Sequence, residues 1–469
     1  MSGDNQACSV IILAAGLGTR MKSSRVKVLH SLLGRPMVSF PITLARKLGA
    51  DRVVLVVGHQ AEDVKQTLQG TDVEFVLQAE QLGTGHAVQQ AVPKLADVEG
   101  PIVILCGDVP LLRLQTIQEL LTHHGETEAV VTVLTTRLKS AAGYGRIVRT
   151  PSDNIVKIVE DKDASEEERK IREINTGIYC FDAEFLRSSI HSLTNRNVQK
   201  EYYLTDLIEV AQLEQQRVSG LKCADPGEVM GINTRGHLAR AEAILRDRVN
   251  LAHMEAGVTM IDPARTYIGM DVDIGEDTVL YPDCHLEGTT QIGKECTIGP
   301  DTRIVDCEIA DRVEIKGYSV LTESKCDEGV ILGPFAHLRP GAHIAGSARI
   351  GNFVEIKNSF IGPGSKVSHL SYVGDTELGR GVNIGAGTIV CNYDGVQKHR
   401  TVIGDEVFVG SDTQFVAPVK IGNRALVGAG STITRDVPED ALAISRAQQK
   451  NFPDGAKKIR ARLKKNPKK

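Results

Sequence analysis

The chain contains no tryptophan, and aromatic residues make up 4% of its 469 positions. Surfaces that hold single-stranded nucleic acid stack bases on aromatic side chains, so this composition argues against that function. None of the nine cysteines forms a Cys-x-x-Cys pair, and their number is odd. That excludes a disulfide framework or a zinc ribbon and leaves reduced, buried thiols in a cytoplasmic protein as the expectation. No stretch approaches the ~18 consecutive apolar residues of a membrane span. The apolar run Val10–Ala15 has no basic residue before it and Arg20 after it, the wrong arrangement for a signal peptide. Neither nucleic acid nor a membrane is expected as a partner.

What is abundant is glycine, with 45 residues, above the usual ~7%. Net charge is small, −4, but uneven: from Arg446 to Lys469 ten Lys/Arg stand against Asp454 alone. This reads as a basic, solvated tail on an acidic body, a type of segment that also binds anions.

The first half alternates short Val/Ile-rich runs (Val10–Leu13, Val53–Val57, Val73–Leu77, Ile102–Leu105, Ala129–Leu134) with segments of helical spacing such as Met37–Leu48 and Thr116–Thr122. That alternation predicts a mostly parallel sheet covered on both faces, with ligands at the carboxyl ends of its strands, after Leu13 and Leu105. Between Thr234 and Glu255 there is no proline. Leu238, Ala241, Ile244, Leu245 and Val249 recur at helical steps, which predicts one linker helix capped by Asn233 or Thr234. After Pro263 the period changes. Apolar-Gly pairs recur from Ile268-Gly269 to Val427-Gly428, and late in the chain the step is six residues: 403, 409, 415, 421, 427, 433. Such a step predicts a three-sided solenoid of short strands, about nine coils long, with glycine at the corners. The expected divisions are 1–232, 233–256, 257–445 and the tail 446–469.

Leu13-Ala14-Ala15-Gly16-Leu17-Gly18-Thr19-Arg20-Met21 directly follows a predicted strand. Small residues let a backbone approach a phosphate, and Arg20 and Lys27 add two cations, although a glycine-rich loop alone is as often a plain turn. Asp108 ends another strand. A carboxylate there either caps the next segment or holds Mg²⁺, with Asn233 as a second oxygen donor. In the solenoid, Arg339, Glu355, Lys357, His369, Tyr372, Asn383, Asn392, Tyr393 and Ser411 form a polar set. Its alternatives are a passive wall and a site in which Arg339 and Lys357 suit a sugar phosphate and Glu355 orients His369 as a base.

Leu13–Met21, Lys27, Gln78–His86, Gly107-Asp108, Gly143–Arg146 and Asn175–Gly177 resemble the sugar-1-phosphate nucleotidyltransferases. Joined to the hexapeptide half, residues 8 to 446 resemble the bacterial bifunctional N-acetylglucosamine-1-phosphate uridyltransferase/glucosamine-1-phosphate N-acetyltransferase family. The resemblance implies an α/β chain: a Rossmann-like nucleotidyltransferase domain, a linker helix, and a left-handed parallel β-helix that assembles as a homotrimer with sites between subunits. It implies that acetyl-CoA acetylates glucosamine 1-phosphate, and that UTP then uridylylates the resulting N-acetylglucosamine 1-phosphate in the presence of Mg²⁺.

By the same resemblance, Leu13, Ala14, Ala15 and Gly16 line the nucleotide pocket, and Gln78, Gly83 and Thr84 hold the uracil nucleotide. Arg20 and Lys27 steady the phosphates. Gly145, Glu160 and Asn175 hold the sugar, and Asp108 and Asn233 hold the metal. Cys106 stands where the family often has tyrosine. In the second half, His369 is the base and Glu355 orients it. Arg339, Lys357, Tyr372, Asn383, Asn392 and Tyr393 bind the sugar phosphate. Ala386, Ser411, Ala429 and Arg446 meet acetyl-CoA. The rival readings are nucleotidyl transfer with a purely structural solenoid, and a non-catalytic adaptor that binds anions through its tail.

Overall fold

The computed structural model describes residues 8–465. The chain divides into two compact units at Val249/Asn250.

In the first unit, nine strands form one sheet: β1 (Ser9–Leu13), β2 (Arg52–Val57), β3 (Glu74–Leu77), β4 (Ile102–Cys106), β5 (Val131–Arg137), β6 (Arg146–Arg149), β7 (Ile155–Val159), β8 (Glu173–Phe181) and β9 (Val218–Lys222). Their order is β9-β5-β8-β4-β1-β2-β3, with β6 and β7 attached beside β8. β1 runs parallel to β2 and β4, and β9 to β5. β8 runs antiparallel to both its neighbours, and no apolar run announces it, because Asn175-Thr176-Gly177 interrupts the strand.

Alternation sends successive side chains to opposite faces. Val10, Ile12, Val53 and Leu55 pack with one set of helices, α1 (Ser39–Lys47), α2 (Ala61–Thr67) and α4 (Leu114–Thr127); Ile11, Val54, Ile102 and Ile104 pack with α3 (Thr84–Ala91), α5 (Ala183–Ser189) and α6 (Leu207–Leu213). The predicted long helix is α7 (Arg235–Glu255), 21 residues. Its cap is Thr234, whose Oγ1 accepts from the His237 N–H at 3.2 Å. Ala241 and Leu245 are buried against Leu32, Met37, Leu111 and Ile232.

The second unit is a stack of coils whose strands form three parallel sheets of eleven, ten and nine strands. The count exceeds the expected nine coils because pairing already begins at Thr259–Met260 and closes with Leu442–Ala443. Inward residues one coil apart form ladders: Leu286, Ile304, Leu321, Leu338 and Ile356 are each 0% exposed. Each such side chain contributes about 1.5–3 kcal/mol on burial.

The glycines of the apolar-Gly pairs have a different cause from the one the period suggested. The left-handed corner positions are mostly occupied by other residues, among them Asp277, Asp301, Asp306, Asp375 and Asp412, and Asp tolerates that conformation better than most. Glycine is needed where one coil lies tightly on the next: a Cβ on Gly351 would come within 1.8 Å of the Ser368 carbonyl oxygen. The stack is interrupted once. Asn383 pairs with Phe408 and Ile389 with Gln414, a longer step than elsewhere, and the surplus chain, 392–400, leaves the wall as a loop bridged between Tyr393 and Lys398.

All nine cysteines are free. Seven are buried, Cys106 is half-buried and Cys391 is exposed, so the expectation of buried thiols fails at one position. Burial pushes the thiols of Cys8 and Cys307 up to about 11, and those of Cys106 and Cys284 up to about 12. Thiolate is the reactive form. A chromogenic disulfide reagent added to folded protein is therefore expected to titrate Cys391 rapidly and the others only in denaturant. Three or more fast thiols would contradict this burial pattern.

Candidate functional site

At the carboxyl ends of β1 and β4, a cavity of about 400 Å³ is lined by Leu13, Ala14, Ala15, Gly16, Lys27, Gln78, Gly83, Thr84 and Asp108. The structure thus collects residues spread over nearly a hundred positions. It adds Leu17, Gln81, Cys106 and Glu201, of which Leu17 and Gln81 were within the quoted motifs and Glu201 had no local signal. Backbone bonds fix the walls: Gly107 N–H donates to the Leu13 carbonyl at 2.8 Å, and Ala14 N–H to that of Val56 at 2.9 Å.

Gln78 is 3% exposed, and its amide Nε2 donates to the Gly83 carbonyl at 3.0 Å. Its side chain therefore shapes the 78–86 loop, while its place in the wall keeps it beside any ligand. Gly83 has φ +110°, and a Cβ there would stand 2.6 Å from the Tyr202 carbonyl oxygen. Gly83→Ala is expected to cost about 1–3 kcal/mol or more of stability from backbone strain alone. A denaturant midpoint equal to that of the unmodified chain would contradict this.

Lys27 is the hub of the polar end. Its ammonium forms an ion pair with Asp108 and donates to Asn233 Oδ1 at 2.7 Å, while Arg20 Nη2 donates to the same oxygen at 2.9 Å. Asp108 and Asn233 come together because the Ile232 N–H donates to the Asp108 carbonyl at 2.9 Å. Two hard oxygens already share one cationic nitrogen. Among the described residues no group of three or more His, Cys, Asp or Glu could hold a metal. A carboxylate plus one amide oxygen, completed by phosphates and water, is the donor set Mg²⁺ accepts, so the residues present fit that ion.

Gly145, Glu160 and Asn175 meet one another outside the cavity lining, and their segment joins it where Cys106 Sγ donates to the Gly177 carbonyl at 3.4 Å. The Asn175 N–H donates to the Gly145 carbonyl at 2.9 Å, and a Cβ on Gly145 would lie 3.4 Å from Glu160 Oε1. Burial pushes the Glu160 carboxyl upward, against a hydrogen bond from Thr205 that lowers it.

In the stack of coils, one edge carries a rising series. The Gly387 N–H faces the His369 carbonyl at 3.4 Å, Asp412 N–H donates to the Ala386 carbonyl at 2.7 Å, and Gly430 N–H to that of Ser411 at 2.8 Å; Arg446 bonds the Ala429 carbonyl. His369, Ala386, Ser411, Ala429 and Arg446 thus climb one corner, coil by coil.

Across the adjoining strand lies a second group. Arg339 Nη1 donates to Glu355 Oε1 at 2.8 Å, and Glu355 is in register with Tyr372. Asp375 accepts from Asn358 Nδ2 at 2.6 Å and also from Asn392. Lys357 meets Lys398, which, with desolvation, lowers its ammonium from the ordinary range; Asp375 opposes that lowering.

Within one chain, Glu355 does not lie beside the imidazole. His369 Nδ1 is bonded to Asn352 Oδ1 at 2.6 Å, because Asn352 is the residue in register one coil below, whereas the Glu355 carboxylate is engaged by Arg339. Tyr393 is 60% exposed and its hydroxyl donates to the Gly395 carbonyl at 2.6 Å, so it stabilises its own loop. Asn383 sits on a strand between Lys366 and Phe408, leading into the Ala386 corner. Asn352, Asp375 and Lys398 were missed. The coil step itself was the signal for the first two, since Asn352 and His369, like Asn358 and Asp375, are 17 residues apart; Lys398, in the loop that leaves the wall, had none.

The MobA-like NTP transferase domain family matches residues 10–172, and the bacterial transferase hexapeptide family (six repeats) matches residues 400–435. The chain is 54% identical over 445 residues to the bifunctional protein GlmU of Trichlorobacter lovleyi, covering 94% of this chain and 96% of that one. It is 52% identical to that of Exiguobacterium sibiricum (95% and 98% covered) and 50% identical to that of Brevibacillus brevis (96% and 97% covered).

Proposed function

The chain belongs to the family of bifunctional GlmU proteins, and from that premise we infer how its two units divide one synthesis. It is a bifunctional enzyme making UDP-N-acetylglucosamine. The hexapeptide unit transfers acetyl from acetyl-CoA to glucosamine 1-phosphate, and the nucleotidyltransferase unit then transfers uridylyl from UTP to the product, releasing pyrophosphate. The observation that carries this reading is the match along both halves of the chain at 54% identity.

In uridylyl transfer, a phosphate oxygen of N-acetylglucosamine 1-phosphate attacks the α-phosphorus of UTP in line, and the bond to pyrophosphate breaks. The protein supplies position and positive charge rather than a covalent intermediate. Leu13–Gly16 leave room for the nucleotide, and Gly83 and Thr84 border its base. Gly145, Glu160 and Asn175 hold the sugar. Arg20 and Lys27 offset the charge of the leaving pyrophosphate. Asp108 and Asn233 would hold Mg²⁺, which when bound neutralises phosphate charge.

In acetyl transfer, the imidazole Nδ1–H bonded to Asn352 leaves Nε2 free to accept a proton. His369 takes that proton from the amine of glucosamine 1-phosphate. The amine attacks the thioester carbonyl, the Ala386 N–H receives the developing oxyanion, and the tetrahedral centre collapses with loss of the coenzyme A thiolate. Arg339, Lys357, Tyr372, Asn383 and Asn392 hold the sugar phosphate. Ser411, Ala429 and Arg446 line the path of the coenzyme.

The Lys357–Asn392 group and the His369 edge lie at opposite ends of one short strand, Tyr372–Gly374, about 7 Å apart at ~3.3 Å per residue step. The homotrimer with sites between subunits is carried by the likeness to the bifunctional family, a neighbouring copy completing the wall around these two groups. Light scattering on the intact chain is expected to give three times 50.8 kDa. A monomer that retains full acetyl transfer would overturn the shared site. We place the enzyme in the cytoplasm, a reducing compartment in keeping with its nine free cysteines. The whole reading is tested by supplying glucosamine 1-phosphate, acetyl-CoA, UTP and Mg²⁺ and identifying the products. UDP-N-acetylglucosamine, coenzyme A and pyrophosphate are expected, and absence of either transfer would refute that half.

A further inference from the structure

A second cavity in the first unit, about 870 Å³, is lined by six cationic side chains, Lys139, Arg146, Lys162, Arg169, Lys170 and Arg172, and by one acid, Asp161. The acid is already taken by Arg146 at 2.8 Å. Lys170 pairs with Glu167 at the surface. Neighbouring acids are committed elsewhere: Asp163 accepts from the Val198 N–H and from the Tyr203 hydroxyl, and Glu168 pairs with Lys157. Among the described residues, the side chains of Lys139, Lys162, Arg169 and Arg172 therefore face the cavity with no ion-pair partner. Arg146 is buried, its side chain 3% exposed, and its Nε has no hydrogen-bond partner among the described residues.

A cleft walled by one sign of charge concentrates ions of the other sign, and guanidinium groups match phosphate oxygens in pairs. Four unopposed cations exceed what a single monoanion offsets. Ala141, Ala142 and Ile171 complete a concave wall suited to a small molecule. We propose that this cavity binds a small polyphosphorylated anion. Arg146 and Asp161 directly follow Gly145 and Glu160 in the chain, so an anion that draws on Arg146 competes with Asp161 and is felt at the sugar subsite. That coupling rests on the function proposed above, whereas the binding does not.

Calorimetric titration of the intact protein with inorganic tripolyphosphate tests the binding. The component assigned to this cavity is expected to weaken at least 10-fold in the double variant Arg169→Ala/Arg172→Ala, and equally in Ala142→Trp, which fills the cavity without changing charge. It is expected to persist in Lys27→Ala, which disables the nucleotide end. Titrations of the double variant and of Ala142→Trp that match the unmodified chain would overturn the site. The coupling is read separately. At saturating UTP, tripolyphosphate is expected to change the KM for N-acetylglucosamine 1-phosphate at least twofold in the unmodified enzyme and not in the double variant. An equal response in both would overturn the coupling and leave the binding result standing.

Discussion

Replacing His369 by alanine is expected to lower acetyl transfer by roughly 10²–10⁴-fold, the range for a positioned general base, and to leave uridylyl transfer unchanged. The side chain is exposed and makes one hydrogen bond, to Asn352, so its removal opens no cavity and the fold is expected to keep its melting temperature. The acid limb of the acetyl-transfer pH profile, which reports protonation of the imidazole, is expected to vanish with it. Asn352→Ala tests the hydrogen bond that fixes the tautomer: it is expected to reduce kcat while retaining a displaced acid limb. Glu355→Gln is expected to act chiefly on the KM for the sugar phosphate, through Arg339. If the histidine were only part of the wall, alanine would lower the melting temperature and spare the rate per folded molecule. That outcome would sink the assignment.

The second large effect is expected at Asp108. Asp108→Ala removes an oxygen donor for the metal and strands Lys27, whose side chain is 11% exposed. Uridylyl transfer is expected to fall by about 10²–10³-fold or more, as for loss of a key electrostatic group, with acetyl transfer unaffected. Because an unpaired, half-buried ammonium destabilises a fold by up to ~3–5 kcal/mol, Asp108→Asn is the better comparison. It keeps the shape and an oxygen but not the charge. Its activity is expected to respond to added Mg²⁺ with a raised half-saturation, which a purely structural ion pair would not produce. Equal loss of both transfers in folded Asp108→Asn would refute the separation of sites.

The solenoid was legible in the sequence because its six-residue step has no competitor among helices or ordinary strands, and because the inward ladder tolerates few residue types. The sheet of the first unit was legible for the opposite reason, since β1, β2 and β4 are buried on both faces and read as unbroken apolar runs. β8 was hidden, as its direction depends on packing between β4 and β5 and not on its own residues. The same distinction holds at the sites. Asp108 announced itself by following a strand, and Lys27 by adding a cation close to the glycine-rich loop. Asn352 and Asp375 did not, because nothing local marks an asparagine or an aspartate at a corner, and Lys398 did not, because it lies in the loop that leaves the wall. Only register places Asn352 beneath His369, and register follows from counting residues per coil. Glu355 illustrates the converse: its role was assigned by likeness, while the coil step aligns it with Tyr372 and leaves its carboxylate to Arg339.

The loop at 392–400 leaves the wall where the coil step fails, yet the strands on either side pair as if nothing had been added. In a stack where each layer is held only by the layers above and below, a corner can be extended at the cost of closing one short loop, a cost that rises only with the logarithm of its length. Scaffold and equipment are thereby decoupled. The repeats can stay monotonous under selection for packing, while departures from the rhythm are free to acquire lysines, histidines and asparagines. Irregularity in such a chain is thus a record of where chemistry was fitted.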